Sequence, residues 1–120
     1  MFRPRIIPVL LLKNKVLVKS QKFDHHQYIG DPINAVKIFN DLKADELVFL
    51  DILATKENRP VPASLVKEIG EEANMPFSVG GGIKSLEDIR TILQAGAEKV
   101  IINSHAAENP DFIKSAFRNE

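Results

Sequence analysis

Apolar residues in this chain fall into four short runs separated by segments with helical spacing. The runs occupy residues 5–12, 46–51, 77–80 and 99–102 and consist mostly of Ile, Val, Leu and Phe. Nearly continuous apolar runs of this length are typical of parallel strands that are covered on both faces. Residues 16–18 add a shorter apolar group, which predicts an extra strand inside a long first loop.

The segments between the runs carry helix signals at their ends. Asp31 followed by Pro32 is typical of a capped helix start, and apolar residues then recur at helical spacing, which predicts a helix over residues 32–43. Pro62 begins a second predicted helix. A capping-box-like start at residues 85–88 and a stop at Gly96 delimit the third. Residues 109–111 begin a fourth.

Strand and helix thus alternate four times, which predicts right-handed βαβ units and a parallel sheet. We expect a single α/β domain over residues 1–120, with four βα units forming half of a TIM (β/α)8 barrel, since a complete barrel needs about 250 residues. A half-barrel exposes two sheet edges and one apolar face. We therefore expect a homo-oligomer, or pairing with a second half-barrel.

Composition narrows the function classes. The 120 residues are 44% hydrophobic, carry 16 basic and 16 acidic residues, and include no cysteine. The balanced charge gives no field to attract nucleic acid or an anionic membrane, and thiol chemistry is excluded. The apolar run near the N-terminus is too short for a spanning helix and lacks a signal-peptide cleavage site, so we expect a cytoplasmic protein.

The third apolar run ends in three consecutive glycines, at residues 80–82, directly before a helix start. Without a Cβ, their backbone can turn sharply and approach a ligand, as in a phosphate cradle. Asn103 and Ser104 follow the next strand, and the ends of neighbouring parallel strands lie about 5 Å apart. The pattern predicts a phosphate site shared by two loops, the alternative being a simple strand-to-helix turn.

Polar residues dominate residues 19–30, which predicts a mobile segment of the kind that forms lids. His25 and His26 are adjacent and therefore point apart in an extended chain, and His105 lies far from both. We interpret them as loop histidines and expect no metal and no cofactor.

Several longer motifs resemble the N-terminal half of one enzyme family, the cyclase subunit of imidazole glycerol phosphate synthase. They lie at residues 5–8, 30–32, 45–52, 76–83 and 96–104. The resemblance implies a (β/α)8 barrel built from two similar halves. It also implies a glutaminase partner that supplies ammonia, and a phosphorylated small-molecule substrate whose cleavage and ring closure belong to histidine biosynthesis.

The same resemblance implies roles for particular residues. Gly81, Gly82, Asn103 and Ser104 would bind one substrate phosphate, and Lys19 would help to close a loop over the substrate. Asp51 ends a predicted strand, where barrel enzymes carry their chemistry, which predicts a role in acid–base catalysis or in binding a substrate hydroxyl. Two alternatives remain open at this point: Asp51 as a helix cap or loop anchor, and Lys19 as a solvated surface lysine.

Leu11 breaks the family pattern, because the family ends its first strand in a catalytic aspartate. Leucine cannot transfer a proton, so we expect a weak or inactive cyclase. Residues 8–12, 31–35 and 56–58 resemble a divergent branch of the family associated with surface polysaccharide. That branch is thought to pass ammonia from a glutaminase to a sugar amidotransferase.

Arg5, Glu46 and Lys99 each stand at the start of a different predicted strand, so their side chains can converge at the opposite mouth of the barrel. The resemblance implies a charged gate over an ammonia passage, and a salt-bridged plug is the alternative. Asp45 and Glu98 are expected to face a partner. Three hypotheses follow: a synthase half-barrel, a non-catalytic module that docks a glutaminase and channels ammonia, and an inert half-barrel.

Overall fold

The computed structural model describes residues 4–20, 26–54, 56–57 and 59–102. Nine elements follow one another in this part of the chain: β1 (Val9–Lys13), β2 (Val16–Ser20), β3 (His26–Gly30), α1 (Pro32–Asp41), β4 (Leu47–Asp51), α2 (Ala63–Glu72), β5 (Phe77–Gly80), α3 (Leu86–Ala95) and β6 (Lys99–Ile101). The helix expected after residue 109 lies outside the described residues.

All six strands join one sheet in the order β3-β2-β1-β4-β5-β6. The strands β1, β4, β5 and β6 are parallel neighbours, as the alternation of strand and helix predicted. Only β2 runs in the opposite direction, pairing antiparallel with both β1 and β3. The architecture is therefore α/β, a parallel sheet with crossover helices that carries an antiparallel hairpin on one side.

The hairpin corrects the prediction of a mobile segment over residues 19–30. The backbone of residues 16–20 pairs with that of residues 26–30, with a register shift between Leu17 and Val18. The extra strand predicted from residues 16–18 is confirmed as β2. The polar residues of the sequence concealed only β3, because backbone pairing with β2 supports a strand that the side-chain pattern does not indicate. Residues 21–25 lie outside the described residues.

Two element boundaries also differ from the predicted ones. The first strand begins at Val9 rather than residue 5, although the carbonyl oxygen of Pro8 still accepts a hydrogen bond from the Val48 amide at 3.0 Å. The first helix ends at Asp41, because Lys43 adopts a left-handed φ of 57° that cannot continue a helix. At its start, the Asp31 carboxylate accepts from the Ile33 amide, as predicted.

The hydrophobic core lies between the helices and one face of the sheet. On that face Leu12, Leu47, Phe49, Phe77 and Val79 are all buried. The rings of Phe49 and Phe77 meet edge to face, with centroids 6.4 Å apart. Alternation along the strands places the remaining strand residues on the other face.

That second face, which we call the open face, is covered by none of the described helices. Val9 is 58% exposed there, and Leu11, Val48, Leu50 and Ile101 are half-buried. The described part of the sheet therefore has a completed core on one side only. Each described helix has ten residues, and none is long and apolar enough to cross a membrane.

Candidate functional site

The candidate site lies at the carboxyl edge of the parallel strands, where β4 and β5 end side by side. Asp51 is the last residue of β4, and the pairing of Leu50 with Gly80 places the glycine loop, residues 80–82, next to it. The contact is close: a Cβ added to Gly81 would lie 2.6 Å from the carbonyl oxygen of Asp51. The fold thus joins the carboxylate residue and the glycine loop at one edge.

The glycine loop has a backbone conformation that larger residues disfavour. Gly81 has φ of 131° and Gly82 has φ of 64°. A Cβ on Gly82 would lie 1.8 Å from the carbonyl oxygen of Arg59, and the Val61 amide donates to the carbonyl oxygen of Gly81 at 3.1 Å. We call the described residues between β4 and α2 (52–54, 56–57 and 59–62) the β4–α2 loop. Its residues 59–61 therefore lie directly on the glycine loop.

The backbone N–H groups of Gly81 and Gly82 are the donors with which the glycine loop could bind an anion. Within the described ranges, no backbone carbonyl or side chain accepts a hydrogen bond from the N–H of Gly81 or Gly82. Asn103 and Ser104, the other two residues expected to bind phosphate, lie outside the described residues. The structure therefore shows one of the two expected loops.

Asp51 is held by three intramolecular donors. Its side chain is 3% exposed, and its Oδ1 accepts from the amides of Leu53 and Ala54 at 3.0 Å each. Its Oδ2 accepts from Arg59 Nη1, also at 3.0 Å. This is the geometry of a loop anchor, the alternative that the sequence left open, and it fixes the carboxylate at the end of β4.

Arg59 was not among the residues selected from the sequence. Its Nη1 contacts Asp51 and its Nη2 contacts Glu57 Oε1 at 3.0 Å. The hydrogen bond to Asp51 is the largest cause of a raised pKa for Arg59, so the guanidinium stays charged. An arginine eight positions after a strand-ending aspartate fits no common motif, so no pattern in the sequence indicates the pair.

Leu11 and Lys19 fall on neighbouring strands. Leu11 is paired with Leu50 on one side and Val18 on the other, so apolar residues flank it on both neighbouring strands. The backbone of Lys19 is part of β2 and pairs with Gln27. Lys19 is thus a strand residue, and its predicted role over a substrate stays a prediction.

The opposite edge of the sheet gathers the three predicted gate residues into one ion-pair cluster, which we call the amino-edge cluster. Glu46 Oε1 lies 3.0 Å from Arg5 Nη2 and 3.7 Å from Lys99 Nζ. The glutamate side chain is 17% exposed, whereas those of Arg5 and Lys99 are 64% and 61% exposed. The geometry fits both a gate and a plug.

Asp45 and Glu98 adjoin this cluster but differ from each other. The Oδ2 of Asp45 accepts from the Ile6 amide at 2.7 Å, so its carboxylate anchors the segment that leads into β1. Glu98 is exposed, and its own amide donates to the carbonyl oxygen of Phe77. Of the two acids expected to face a partner, Glu98 has the more accessible position.

In the described part of the chain, no group of three His, Asp or Glu side chains is arranged to hold a metal ion. His26 contributes its backbone to β3, whereas His25 and His105 lie outside the described residues.

Parallel βα units with a candidate ligand site at the carboxyl edge define a protein of the (β/α)-barrel class, here with part of the barrel. The family model described as "Histidine biosynthesis protein" matches residues 5–119, and the chain belongs to this family. The resemblance found in the sequence and the expected partial-barrel fold are thereby confirmed.

Individual relatives carry the name imidazole glycerol phosphate synthase subunit HisF. The protein of Clostridium botulinum is 49% identical over 118 residues, covering 98% of this chain and 47% of its own length. The protein of Methanococcus vannielii is 47% identical over 116 residues, covering 97% of this chain and 43% of its own length. The chain therefore spans less than half the length of these relatives.

Proposed function

We propose that this chain is the phosphate-binding half of a HisF-like subunit of the imidazole glycerol phosphate synthase type. The observation that carries the proposal is the glycine loop at the carboxyl edge, beside Asp51, with the amides of Gly81 and Gly82 unused within the described residues. Backbone amides at such a turn suit the oxygens of a phosphate group. The substrate would be a phosphorylated small molecule in the cytoplasm.

Leu11 makes this half weak or inactive as a cyclase. A hydrocarbon side chain cannot accept or donate the proton that ring closure requires, and its strand partners Leu50 and Val18 offer no replacement. Asp51 ends β4, where both of its oxygens accept hydrogen bonds that anchor the loop, and its predicted acid–base role stays a prediction. In this proposal, phosphate binding remains while proton transfer at position 11 is lost.

Inorganic phosphate tests the binding site directly. Titration of the isotopically labelled chain should move the amide resonances of Gly81, Gly82 and Ile83 along saturable curves. The control is a matched titration with chloride at equal ionic strength, which should leave these amides in place. Identical responses to the two salts would contradict the phosphate site.

A second candidate function is a non-catalytic module that docks a glutaminase and channels ammonia for sugar amidation of surface polysaccharide. The observation that favours it is the amino-edge cluster, in which one half-buried glutamate joins two exposed cations at the opposite mouth.

Docking can be tested at Glu98 with a matched control. Glu98→Lys reverses an exposed charge beside the amino-edge cluster, whereas Glu68→Lys reverses an exposed charge on α2. We expect the first variant alone to weaken capture by a HisH-like glutaminase. Equal capture of both variants would remove Glu98 from the docking surface.

We also infer that the open face is covered by a second half-barrel, either another copy of this chain or a separate one. Partly exposed Val9, Leu11, Val48 and Leu50 provide the apolar surface for such a contact. Light-scattering chromatography should therefore give the mass of a homo-oligomer, and a monodisperse monomer at micromolar concentration would contradict self-association.

A further inference from the structure

Arg59 contacts Asp51 through its side chain and the glycine loop through its backbone. Its guanidinium forms an ion pair with Asp51. Its backbone carbonyl oxygen lies so close to Gly82 that a Cβ added to Gly82 would be 1.8 Å from it. Two residues farther on, the Val61 amide donates to the carbonyl oxygen of Gly81. Through Arg59, the position of the β4–α2 loop and that of the glycine loop depend on each other.

We propose that Arg59 is a positioning residue that holds the β4–α2 loop against the glycine loop, so that the amides of Gly81 and Gly82 are already in place before an anion binds. This inference extends the proposed function, and its prediction for phosphate affinity rests on the proposed phosphate site. A preorganised site binds more tightly because the loop is already ordered and loses little conformational entropy when the anion binds.

The contacts show why the guanidinium is needed. Its Nη1 donates both to Asp51 Oδ2 and to the carbonyl oxygen of Pro60, while Nη2 reaches Glu57. Without it, the buried Asp51 would keep only its two backbone donors. Residues 59–61 would keep only backbone hydrogen bonds, from the Arg59 amide to the Ala54 carbonyl oxygen and from the Val61 amide to the Gly81 carbonyl oxygen. A planar fork with several donors can hold these partners together, whereas the single ammonium group of lysine replaces them only in part.

The test uses three variants of the full chain. Arg59→Met keeps an unbranched side chain of similar length but removes the charge and all donors, and Arg59→Lys keeps the charge. Glu57→Gln is the matched control, because it weakens the exposed side of the network and leaves the contact with Asp51 intact. For each variant, two quantities are measured: hydrogen exchange at the Val61 amide without ligand, and the dissociation constant of inorganic phosphate from the Gly82 amide shift.

We expect Arg59→Met to accelerate exchange at Val61 and to weaken phosphate binding on the order of tenfold, as losses of supporting contacts around a site commonly do. Arg59→Lys should recover part of both effects, and Glu57→Gln should resemble the wild type. Exchange at the core amide of Val79 serves as the reference for global unfolding. A merely destabilising substitution would accelerate Val61 and Val79 together, and that result would overturn the inference.

The two readouts separate failure of the inference from failure of the proposed function. If the wild type does not bind phosphate while Val61 still responds selectively to Arg59→Met, the phosphate site is wrong and the positioning role stands. If the wild type binds phosphate and Arg59→Met changes neither quantity, the positioning role is wrong and the phosphate site stands. Should Arg59→Met fail to fold, the comparison of Arg59→Lys with Glu57→Gln decides the inference by the same criteria.

Discussion

Replacement of Gly82 by alanine is the sharpest test of how the two loops pack. The added Cβ would lie 1.8 Å from the carbonyl oxygen of Arg59 and 3.1 Å from the carbonyl carbon of Ala54. Both obstacles are backbone atoms, so no side-chain rotation can relieve the contact. The new residue would also have to adopt φ of 64°, in the left-handed region.

The expected cost follows from two terms. Holding a residue with a Cβ in the left-handed region costs about 1–2 kcal/mol. Overpacking that forces the backbone to move costs about 1–3 kcal/mol more. Gly82→Ala should therefore lower the free energy of unfolding by about 2–5 kcal/mol, which for a domain of this size is a fall in melting temperature of about 10 °C or more.

Gly30→Ala supplies the matched control. Gly30 also has positive φ, at 149°, but no atom of the described residues lies within 4 Å of the Cβ that alanine would add. The change in the free energy of unfolding of this variant therefore includes the cost of the backbone conformation but no cost of steric overlap. Urea denaturation of the wild type and both variants, followed by circular dichroism, measures the difference. If Gly82→Ala lowered the free energy of unfolding by no more than the conformational cost of about 1–2 kcal/mol, the close packing of the β4–α2 loop on the glycine loop would be refuted.

Three further predictions concern single side chains. Asn40→Ala removes a side chain that donates to the Glu72 carbonyl oxygen and accepts from the Asn74 amide, and should cost about 1–3 kcal/mol in urea denaturation; an unchanged midpoint would show that these bonds add nothing. Ser85→Ala removes the cap of α3 and should cost about 1 kcal/mol by the same assay, with rescue expected from Ser85→Asp and not from valine. Because the pKa of Arg59 is raised on folding, its contribution is complete below the usual arginine pKa and is lost only as the pH rises through the raised value. The stability difference between wild type and Arg59→Met should thus stay constant between about pH 7 and 10, and a steady decline over that range would contradict the assignment.

The sequence was most informative where several local signals agreed. The start of α1 combined a capping aspartate with proline, and β4 and β5 were continuous apolar runs, so their places in the fold followed directly. The meeting of Arg5, Glu46 and Lys99 could also be anticipated, because residues that begin parallel strands share one edge of the sheet.

Two features could not be predicted for physical reasons. The apolar group at residues 16–18 predicted β2, but β3 is held by backbone pairing with β2, and backbone hydrogen bonds leave little trace in a polar stretch of sequence. The pairing of Arg59 with Asp51 depends on the path of an irregular loop, which has no periodicity from which a contact can be inferred. In both cases, tertiary context determined the outcome.

The direction of the strands has an electrostatic consequence at the candidate site. Because β3 runs parallel to β1, β4 and β5, the helices α1, α2 and α3 all begin at the carboxyl edge of the sheet. Each helix dipole places about half a positive elementary charge at its first turn. Carboxylates offset this charge at two of the three helices, because Asp31 caps α1 and Glu87 and Asp88 lie in the first turn of α3. The first turn of α2 contains no acidic residue. A chain with no net charge thus keeps, at the edge that carries the glycine loop, one helix whose positive end holds no carboxylate in its own first turn.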